Sequence, residues 1–351
     1  MTSTFYRSGS GPADGVVAEE DGKPGPVSVG IRSLGAYVPG GVVTNRMVAD
    51  WASTDPEWVA VATGIMERRV APVGESTSAM CEPAAREAVE GAAGPIDALI
   101  LATSTADQVA PATATALQRR LGLDGDGMAF DLNAACGGFV YGLAVARGLI
   151  NTLPNVRNIL LVGADQYSKY INRSHRATAA LFGDGAGAVT LGPVPDGYGI
   201  QGVALAAYSE FHDEVGIMAG GTREPLTPEV LEARRDKLHM NGKVVRRVFV
   251  EKVPALTLQA ADEAGWKLAD IDRFVFHQGN PVMLREIADS LGIDADRVGV
   301  TGDRYGNTGC GSMPLTLHHM NRLAPLRRGE KVLFAGAGAG MTVGAVALTW
   351  W

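Results

Sequence analysis

The sequence predicts an α/β protein built from two similar halves. Short apolar runs of strand length alternate with helical patterns from about residue 27 onward, which is typical of α/β folds. Glycine is abundant, with 45 residues, and this indicates tight turns and close backbone approaches. Several segments of the first half also recur in the same order in the second half.

The chain has 351 residues, enough for one large or two medium domains with a substantial core. Hydrophobic residues make up 46% of it and aromatic residues only 6%, so the core must consist mainly of Ala, Val, Leu and Ile. Residues 1–26 are rich in Gly, Ser, Pro and acidic residues. Because this segment has little to bury, we expect a disordered N-terminal tail.

Six apolar runs have the length and composition of buried strands. These predicted strands are Ala98–Thr103, Ile159–Gly163, Ala186–Leu191, Phe274–Phe276, Val332–Ala335 and Val343–Thr349.

The recurring segments indicate an internal duplication. IDALILATSTA, which begins at Ile96, resembles IDRFVFHQGNP, which begins at Ile271. NILLVGADQY likewise resembles EKVLFAGAGAG, and GAVTLG resembles GAVALTW. A common order with similar spacing favours duplication over the alternative, chance similarity of short apolar runs. The predicted halves are residues 27–195 and 196–351.

Charge and cysteine content exclude several classes of function. The formal net charge is −7 and no basic block is present, which argues against nucleic acid as a partner. The three cysteines show no disulfide or metal-binding spacing, so we expect no metal and a reducing compartment. The sequence has neither an apolar run of membrane-spanning length nor a signal peptide, and we expect a cytoplasmic protein that does not bind membranes.

Cys136 is the first candidate for chemistry. It lies in DLNAACGGFVYGL, between two alanines and two glycines and directly before an apolar helix. The free N–H groups and positive dipole of a helix N-terminus favour a thiolate, so we expect a nucleophile. The alternative is an inert buried cysteine. Cys81 and Cys310 lack this setting, and we expect both to be structural.

His277 and Asn307 are the second and third candidates. His277 follows the predicted strand Phe274–Phe276, and Asn307 lies in the glycine-rich segment RYGNTGCGS. Cys136 and Asn307 occupy corresponding positions in the two halves, each after an LGL or LGI helix and the strand that follows it. Because ligand sites gather at the carboxyl ends of strands, we expect the three side chains to share one pocket. The alternatives are a core histidine and a turn asparagine.

Together these motifs resemble β-ketoacyl-acyl-carrier-protein synthase III, the priming condensing enzyme of fatty acid and polyketide synthesis. The resemblance covers residues 27–351 and is carried above all by DLNAACGGFVYGL, FHQGN, DRYGNTGCGSMPL and GAGAGMTVGA. It implies a thiolase-like fold with two pseudo-symmetric halves in an αβαβα arrangement of layers. It also implies a homodimer without cofactors that uses thioesters of coenzyme A or acyl carrier protein.

The resemblance implies a catalytic triad of Cys136, His277 and Asn307. The backbone N–H groups of Cys136 and Gly340 match the family's oxyanion hole. Trp58 and Arg176 match the pair that holds the adenine of coenzyme A.

The implied reaction is a decarboxylative Claisen condensation. An acyl group loads onto Cys136 and is joined to malonyl-acyl carrier protein, with His277 and Asn307 donating hydrogen bonds to the enolate. The alternative is an acyltransferase on the same scaffold, in which His277 deprotonates a hydroxyl or amine of a small-molecule acceptor. The neutral amide of Asn307 favours condensation. The complete triad disfavours a third alternative, an inactive partner subunit.

Three positions depart from the family pattern. Ala62 and Val282 stand where family members carry basic residues that serve coenzyme or carrier docking. Ala110, before Pro111, replaces a large residue that often closes the primer pocket of the partner subunit. These departures predict a wider primer pocket and a specialised member of a natural-product pathway. The lost docking residues also favour the acyltransferase alternative.

Overall fold

The structure is a computed structural model that describes residues 25–123, 125 and 127–351. The predicted disordered tail, residues 1–26, therefore lies outside the described residues except for residues 25 and 26.

The strands of the described chain begin and end as follows: β1 Val29–Tyr37, β2 Gly41–Thr44, β3 Glu67–Val70, β4 Ala98–Ala102, β5 Met128–Leu132, β6 Ile159–Gln166, β7 Asp184–Pro193, β8 Gly199–Ala207, β9 Val215–Ile217, β10 Leu238–Met240, β11 Arg273–Phe276, β12 Lys331–Gly338 and β13 Thr342–Thr349.

The α-helices of the same residues are α1 Asn45–Ala52, α2 Pro56–Thr63, α3 Thr77–Glu90, α4 Thr113–Leu121, α5 Gly138–Thr152, α6 Arg176–Ala179, α7 Pro228–Glu232, α8 Gly242–Glu263, α9 Pro281–Leu291, α10 Gly302–Tyr305 and α11 Ser312–Leu323.

All six predicted strands are confirmed, as β4, β6, β7, β11, β12 and β13. Five of them are longer than predicted, and β4 ends one residue earlier, at Ala102. Asp165 and Gln166 extend β6 by pairing with Gly185 and Asp184 of β7.

Two mixed sheets form the framework. The larger has the order β1-β7-β6-β4-β5, with β4 parallel to β5 and β6, and β7 antiparallel to its neighbours. The smaller has the order β11-β12-β13-β8, in which only β11 and β12 are parallel. The larger sheet comes from residues 29–193 and the smaller from residues 199–349. The division into halves at residue 195 stays a prediction.

Helices and sheets alternate in five layers. Helices α5 and α11 pack between the sheets and contact strands of both. Helices α3 and α4 cover the outer face of the larger sheet, and α8 covers the outer face of the smaller one, with α9 packed against it. The largest buried cluster contains Phe139 and Leu317 from the central helices and Phe334 from the smaller sheet. The thiolase-like αβαβα arrangement is therefore confirmed.

The strand expected before Asn307 is absent, and this part of the prediction was wrong. Only one isolated bridge, between Phe274 and Val298, replaces it. Beyond this bridge, the side chain of Gln278 makes the hydrogen bonds to the backbone that a neighbouring strand would make. Its Oε1 accepts from the N–H groups of Thr301 and Gly302, at 2.9 and 3.0 Å, and its Nε2 donates to the carbonyl of Phe276 at 2.8 Å. Because these backbone groups are bonded to a side chain, no continuous strand forms.

Candidate active site

One cavity, lined mainly by apolar side chains, brings Cys136, His277 and Asn307 together. Cys136 precedes helix α5, His277 directly follows strand β11, and Asn307 lies in the loop before α11. The two sheets thus supply side chains to one space, as the sequence predicts. The triad role of these residues stays a prediction at this point.

Cys136 lies in a tight turn between β5 and α5. Ala135 has a φ of 45°, which a residue with a side chain rarely adopts. The N–H groups of Gly137 and Gly138 donate to the carbonyls of Ala134 and Ala135 at 3.1 and 2.8 Å. The Thr342 hydroxyl also donates to the Ala134 carbonyl at 2.7 Å and so links the turn to the second half.

The turn is packed tightly against the end of β12. A Cβ at Gly338 would lie 2.6 Å from the Cys136 nitrogen, so only glycine fits there.

The role of Cys136 as the nucleophile stays a prediction, and the surroundings of its side chain oppose a thiolate in the resting structure. The side chain is buried, and desolvation, with a smaller contribution from Asp165, raises the pKa of the thiol to about 12. The Tyr167 hydroxyl, 4.0 Å from Sγ, and the residue's own N–H oppose this rise in the pKa without cancelling it. The resting sulfur is therefore a thiol.

His277 is buried with its two ring nitrogens in different surroundings. Nδ1 lies 2.7 Å from the Ser312 hydroxyl at the start of α11. A Cβ at Gly279, which lines the cavity, would lie 3.4 Å from Nε2. Burial lowers the pKa of His277 to about 4, so the ring is neutral at pH 7.

Asn307 is held by its backbone and by one side of its amide. Its N–H donates to the Leu181 carbonyl at 2.8 Å, and its carbonyl accepts from Gly183 at 3.0 Å. Its Oδ1 accepts from the Gly309 N–H at 2.9 Å. With Oδ1 occupied, Nδ2 is the part of the amide that is available to donate into the cavity.

Sequence reasoning missed Asp165, which connects the two halves behind the site. This fully buried carboxylate accepts from the Cys310 N–H at 2.8 Å and from the N–H and hydroxyl of Ser104 at 2.8 and 3.0 Å. Cys310 also donates its S–H to the Ala135 carbonyl at 2.8 Å. Cys310, expected to be structural, therefore supports the turn that carries Cys136.

Trp58 and Arg176 are neighbours, as their predicted shared role requires. The Arg176 guanidinium lies 4.8 Å from the centre of the Trp58 ring, a cation–π distance. Coenzyme binding by this pair stays a prediction.

Ala62 and Val282 lie on neighbouring elements, because Asn280 at the start of α9 donates to the Ala62 carbonyl at 3.3 Å. Another cation is close to them: a Cβ at Gly64 would lie 3.5 Å from Nη2 of Arg285. Arg285 thus places a positive charge near Ala62 and Val282, the two positions where basic residues of the family are replaced by apolar ones.

Gly340 and Ala110 are not among the residues that line this cavity. Gly340 lies in the turn between β12 and β13, and its neighbours Ala339 and Met341 do line the cavity. The Met341 N–H is bonded to the Tyr208 carbonyl at 3.1 Å. Ala110 lies in an exposed segment, next to Val109, which is 97% exposed.

Within residues 25–123, 125 and 127–351, no group of three or more His, Cys, Asp and Glu side chains is placed to hold a metal ion. No helix of these residues has the length and apolar character needed to cross a membrane.

Comparison with known proteins identifies the family. Models of the 3-oxoacyl-[acyl-carrier-protein] synthase III family match residues 130–209, and those of its C-terminal part match residues 261–350. The β-ketoacyl-[acyl-carrier-protein] synthase III of Roseiflexus sp. (strain RS-1) is 41% identical over 90% of this chain and 96% of its own length. The chain belongs to the 3-oxoacyl-[acyl-carrier-protein] synthase III family.

Similar proteins are also found under other enzyme names and among solved structures. The acetoacetyl CoA synthase NphT7 of Streptomyces sp. (strain CL190) is 39% identical over 91% of this chain and 98% of its own length. Among solved structures, the synthase III of Thermus thermophilus has a TM-score of 0.84 at 38% identity, covering 92% of this chain and 99% of its own. The priming β-ketosynthase of the R1128 polyketide pathway has a TM-score of 0.86 at 29% identity, covering 95% and 99%.

Membership of the synthase III family confirms the predicted class of enzyme. The protein is an acyltransferase of the condensing type, with the thiolase-like fold of fatty acid and polyketide priming enzymes.

Proposed function

We propose that Cys136 accepts an acyl group from a thioester and that His277 and Asn307 then promote its condensation with a malonyl thioester. The observation that carries this proposal is the cavity itself. It contains the thiol of Cys136 together with the neutral side chains of His277 and Asn307, both of which can donate hydrogen bonds.

In the first step the Cys136 sulfur attacks the acyl carbonyl and the bond to the carrier thiol breaks. The thiol proton of Cys136 ends on the departing carrier sulfur, so the step is balanced. The Cys136 N–H and an N–H of the turn at residues 338–340, predicted as Gly340, stabilise the oxyanion. Ala339 is the second candidate in this turn, because it lines the cavity and Gly340 does not.

In the second step a malonyl thioester binds with its carbonyl oxygen between His277 and Asn307. The bond to the carboxylate breaks, carbon dioxide leaves, and the electron pair forms an enolate. Nε2 of His277 and Nδ2 of Asn307 donate to the enolate oxygen. Its α-carbon attacks the acyl carbonyl, the bond to Cys136 sulfur breaks, and the released thiolate takes up one proton from solvent.

The proposed carriers are coenzyme A and acyl carrier protein. Trp58 and Arg176 offer a stacking surface suited to adenine, and Arg285 supplies positive charge for a phosphate or an acidic carrier. Arg246 also lines the cavity, but its guanidinium is paired with Glu286 at 2.6 and 2.7 Å. The relative NphT7, named an acetoacetyl CoA synthase, supports a test of malonyl-CoA as extender beside malonyl-acyl carrier protein.

We also propose a homodimer in which Ala110 lies against the acyl pocket of the partner subunit. The segment around Ala110 is exposed, with Val109 97% exposed, so it is accessible to a partner subunit. Sedimentation should give twice the chain mass, and a stable, active monomer would contradict the proposal.

The decisive experiment separates acylation from decarboxylation. Wild type, His277→Ala and Asn307→Ala are incubated with acyl thioesters and carboxyl-labelled malonyl-CoA or malonyl-acyl carrier protein. Intact mass should show acyl-Cys136 in both variants. Both should nevertheless release carbon dioxide at least about 100-fold more slowly than wild type. Absence of decarboxylation by wild type with every primer and both extenders would contradict the condensing mechanism and leave acyl transfer to a hydroxyl or amine.

A further inference from the structure

The tautomer of His277 decides what the cavity offers a substrate. Because the ring is neutral, only one of its nitrogens carries a hydrogen. A hydrogen on Nε2 presents a donor to the cavity, whereas a hydrogen on Nδ1 presents a lone pair there. The enolate proposed above needs a donor.

The hydrogen bonds of Ser312 distinguish the two tautomers. Its hydroxyl is buried and lies 2.7 Å from His277 Nδ1. The same oxygen accepts from the Gln278 N–H at 3.3 Å. Since a backbone N–H can only donate, the hydroxyl hydrogen cannot be used in that contact.

Among the described residues, His277 Nδ1 is the only acceptor within hydrogen-bonding distance of this hydroxyl. If Nδ1 carried the hydrogen, Ser312 Oγ would accept from both neighbours and its own hydrogen would be buried without a partner. A buried donor without a partner is destabilising, because it loses its hydrogen bonds to water and gains none in the protein. The arrangement that satisfies every group has Ser312 donating to Nδ1 and the ring hydrogen on Nε2.

We propose that Ser312 is a positioning residue that holds His277 in the Nε2–H tautomer. The functional consequence rests on the proposed condensation, in which Nε2–H donates to the enolate oxygen. The hydroxyl acts through His277, and its position on a central helix between the two sheets fixes it relative to β11.

The tautomer can be measured without any substrate. Protein labelled with ¹⁵N-histidine is examined by long-range ¹⁵N–¹H correlation, with His277 assigned from its missing signals in His277→Gln. Wild type should show a protonated Nε2 and an unprotonated Nδ1. Ser312→Ala should show a mixture of both tautomers. A wild-type ring with hydrogen on Nδ1, or an unchanged tautomer in Ser312→Ala, would overturn the proposal.

Kinetics then test the consequence. Ser312→Ala should acylate Cys136 within about twofold of wild type but release carbon dioxide from the malonyl thioester at least about tenfold more slowly, because a wrong histidine tautomer is costly. Ser312→Thr, which keeps a hydroxyl, should recover most of this loss.

Thr316→Ala is the matched control. Thr316 is buried one turn further along α11, and its hydroxyl lies 2.7 Å from that of Thr301, away from the imidazole. Equal loss in Thr316→Ala and Ser312→Ala would show a general effect of the helix and contradict a role through His277. Failure of wild type to decarboxylate would instead contradict the proposed function, and the tautomer would still be decided by the spectra.

Discussion

Replacing Asn307 by aspartate should abolish decarboxylation and preserve acylation. The substitution changes the Nδ2 group, which can donate into the cavity, into an oxygen of nearly the same size. Oδ1 can still accept from the Gly309 N–H, so the loop should keep its conformation. The change therefore removes one donor and adds one negative charge where the enolate forms.

Two effects determine how strongly Asn307→Asp should slow decarboxylation. Loss of one donor to a developing oxyanion costs about 100- to 1,000-fold in rate. A carboxylate about 4 Å from the enolate oxygen adds roughly 4 kcal/mol of repulsion at an effective dielectric constant of about 20. Together these effects place Asn307→Asp below the detection limit of a carbon dioxide assay at pH 8, where the new carboxyl is ionised.

The pH dependence gives a second signature. As the pH falls through the pKa of the new carboxyl, the group becomes neutral and gains an O–H donor. Activity of Asn307→Asp should therefore rise relative to wild type towards acidic pH. The measurement is labelled carbon dioxide release between pH 5 and pH 8, with acyl-Cys136 followed by intact mass.

Asn280→Asp is the matched control, because Asn280 also lines the cavity. Its Oδ1 accepts from the N–H groups of Val282 and Met283 at the start of α9, where a carboxylate is favourable. This variant should keep decarboxylation within about tenfold of wild type. Wild-type decarboxylation by Asn307→Asp at pH 8 would refute the assigned role of the amide.

Three further predictions concern the nucleophile, the pocket and the loop. Cys136→Ser should lose the acyl adduct seen by intact mass. In wild type the rate of Cys136 alkylation should still be rising above pH 9, because the pKa of its thiol is raised to about 12. An alkylation rate that reaches a plateau near pH 7 would contradict this. Ala110→Phe should slow bulky primers and spare acetyl in a rate comparison, since overfilling a packed site is costly, and equal rates with both primers would place Ala110 elsewhere. Gly309→Ala should lower the free energy of unfolding, measured by urea denaturation, by about 1–3 kcal/mol. The reason is that Gly309 has a φ of 56° and that a Cβ there would collide with the Asp165 carboxylate. An unchanged free energy of unfolding would contradict this packing.

The buried framework could be predicted from the sequence because β4 and β6 are covered on both faces. Such strands are continuous apolar runs, as in Ala98–Ala102, and these are visible without knowing their neighbours. Cys136 and His277 were found for a related reason. His277 directly follows β11, Cys136 lies in the turn after β5, and both are flanked by small or polar residues that do not suit a core.

The supporting contacts could not be predicted, because their partners are distant in the chain. Asp165 and Cys310 are separated by 145 positions and His277 and Ser312 by 35. The missing strand before Asn307 has a similar cause, because the side chain of Gln278 satisfies the backbone there. No local sequence pattern indicates that a distant side chain will bond the backbone groups that a strand would otherwise pair.

Burial disfavours acylation of Cys136 but favours the condensation step of the proposed reaction. It raises the pKa of Cys136, which leaves little thiolate at rest, and it lowers the pKa of His277 to about 4, which keeps the ring neutral. A histidine with so low a pKa is a weak general base for an alcohol or amine acceptor. The same ring is well suited to donate a hydrogen bond to an enolate, because donation requires no change in charge. The dry environment that slows acylation therefore favours carbon–carbon bond formation over acyl transfer to a heteroatom.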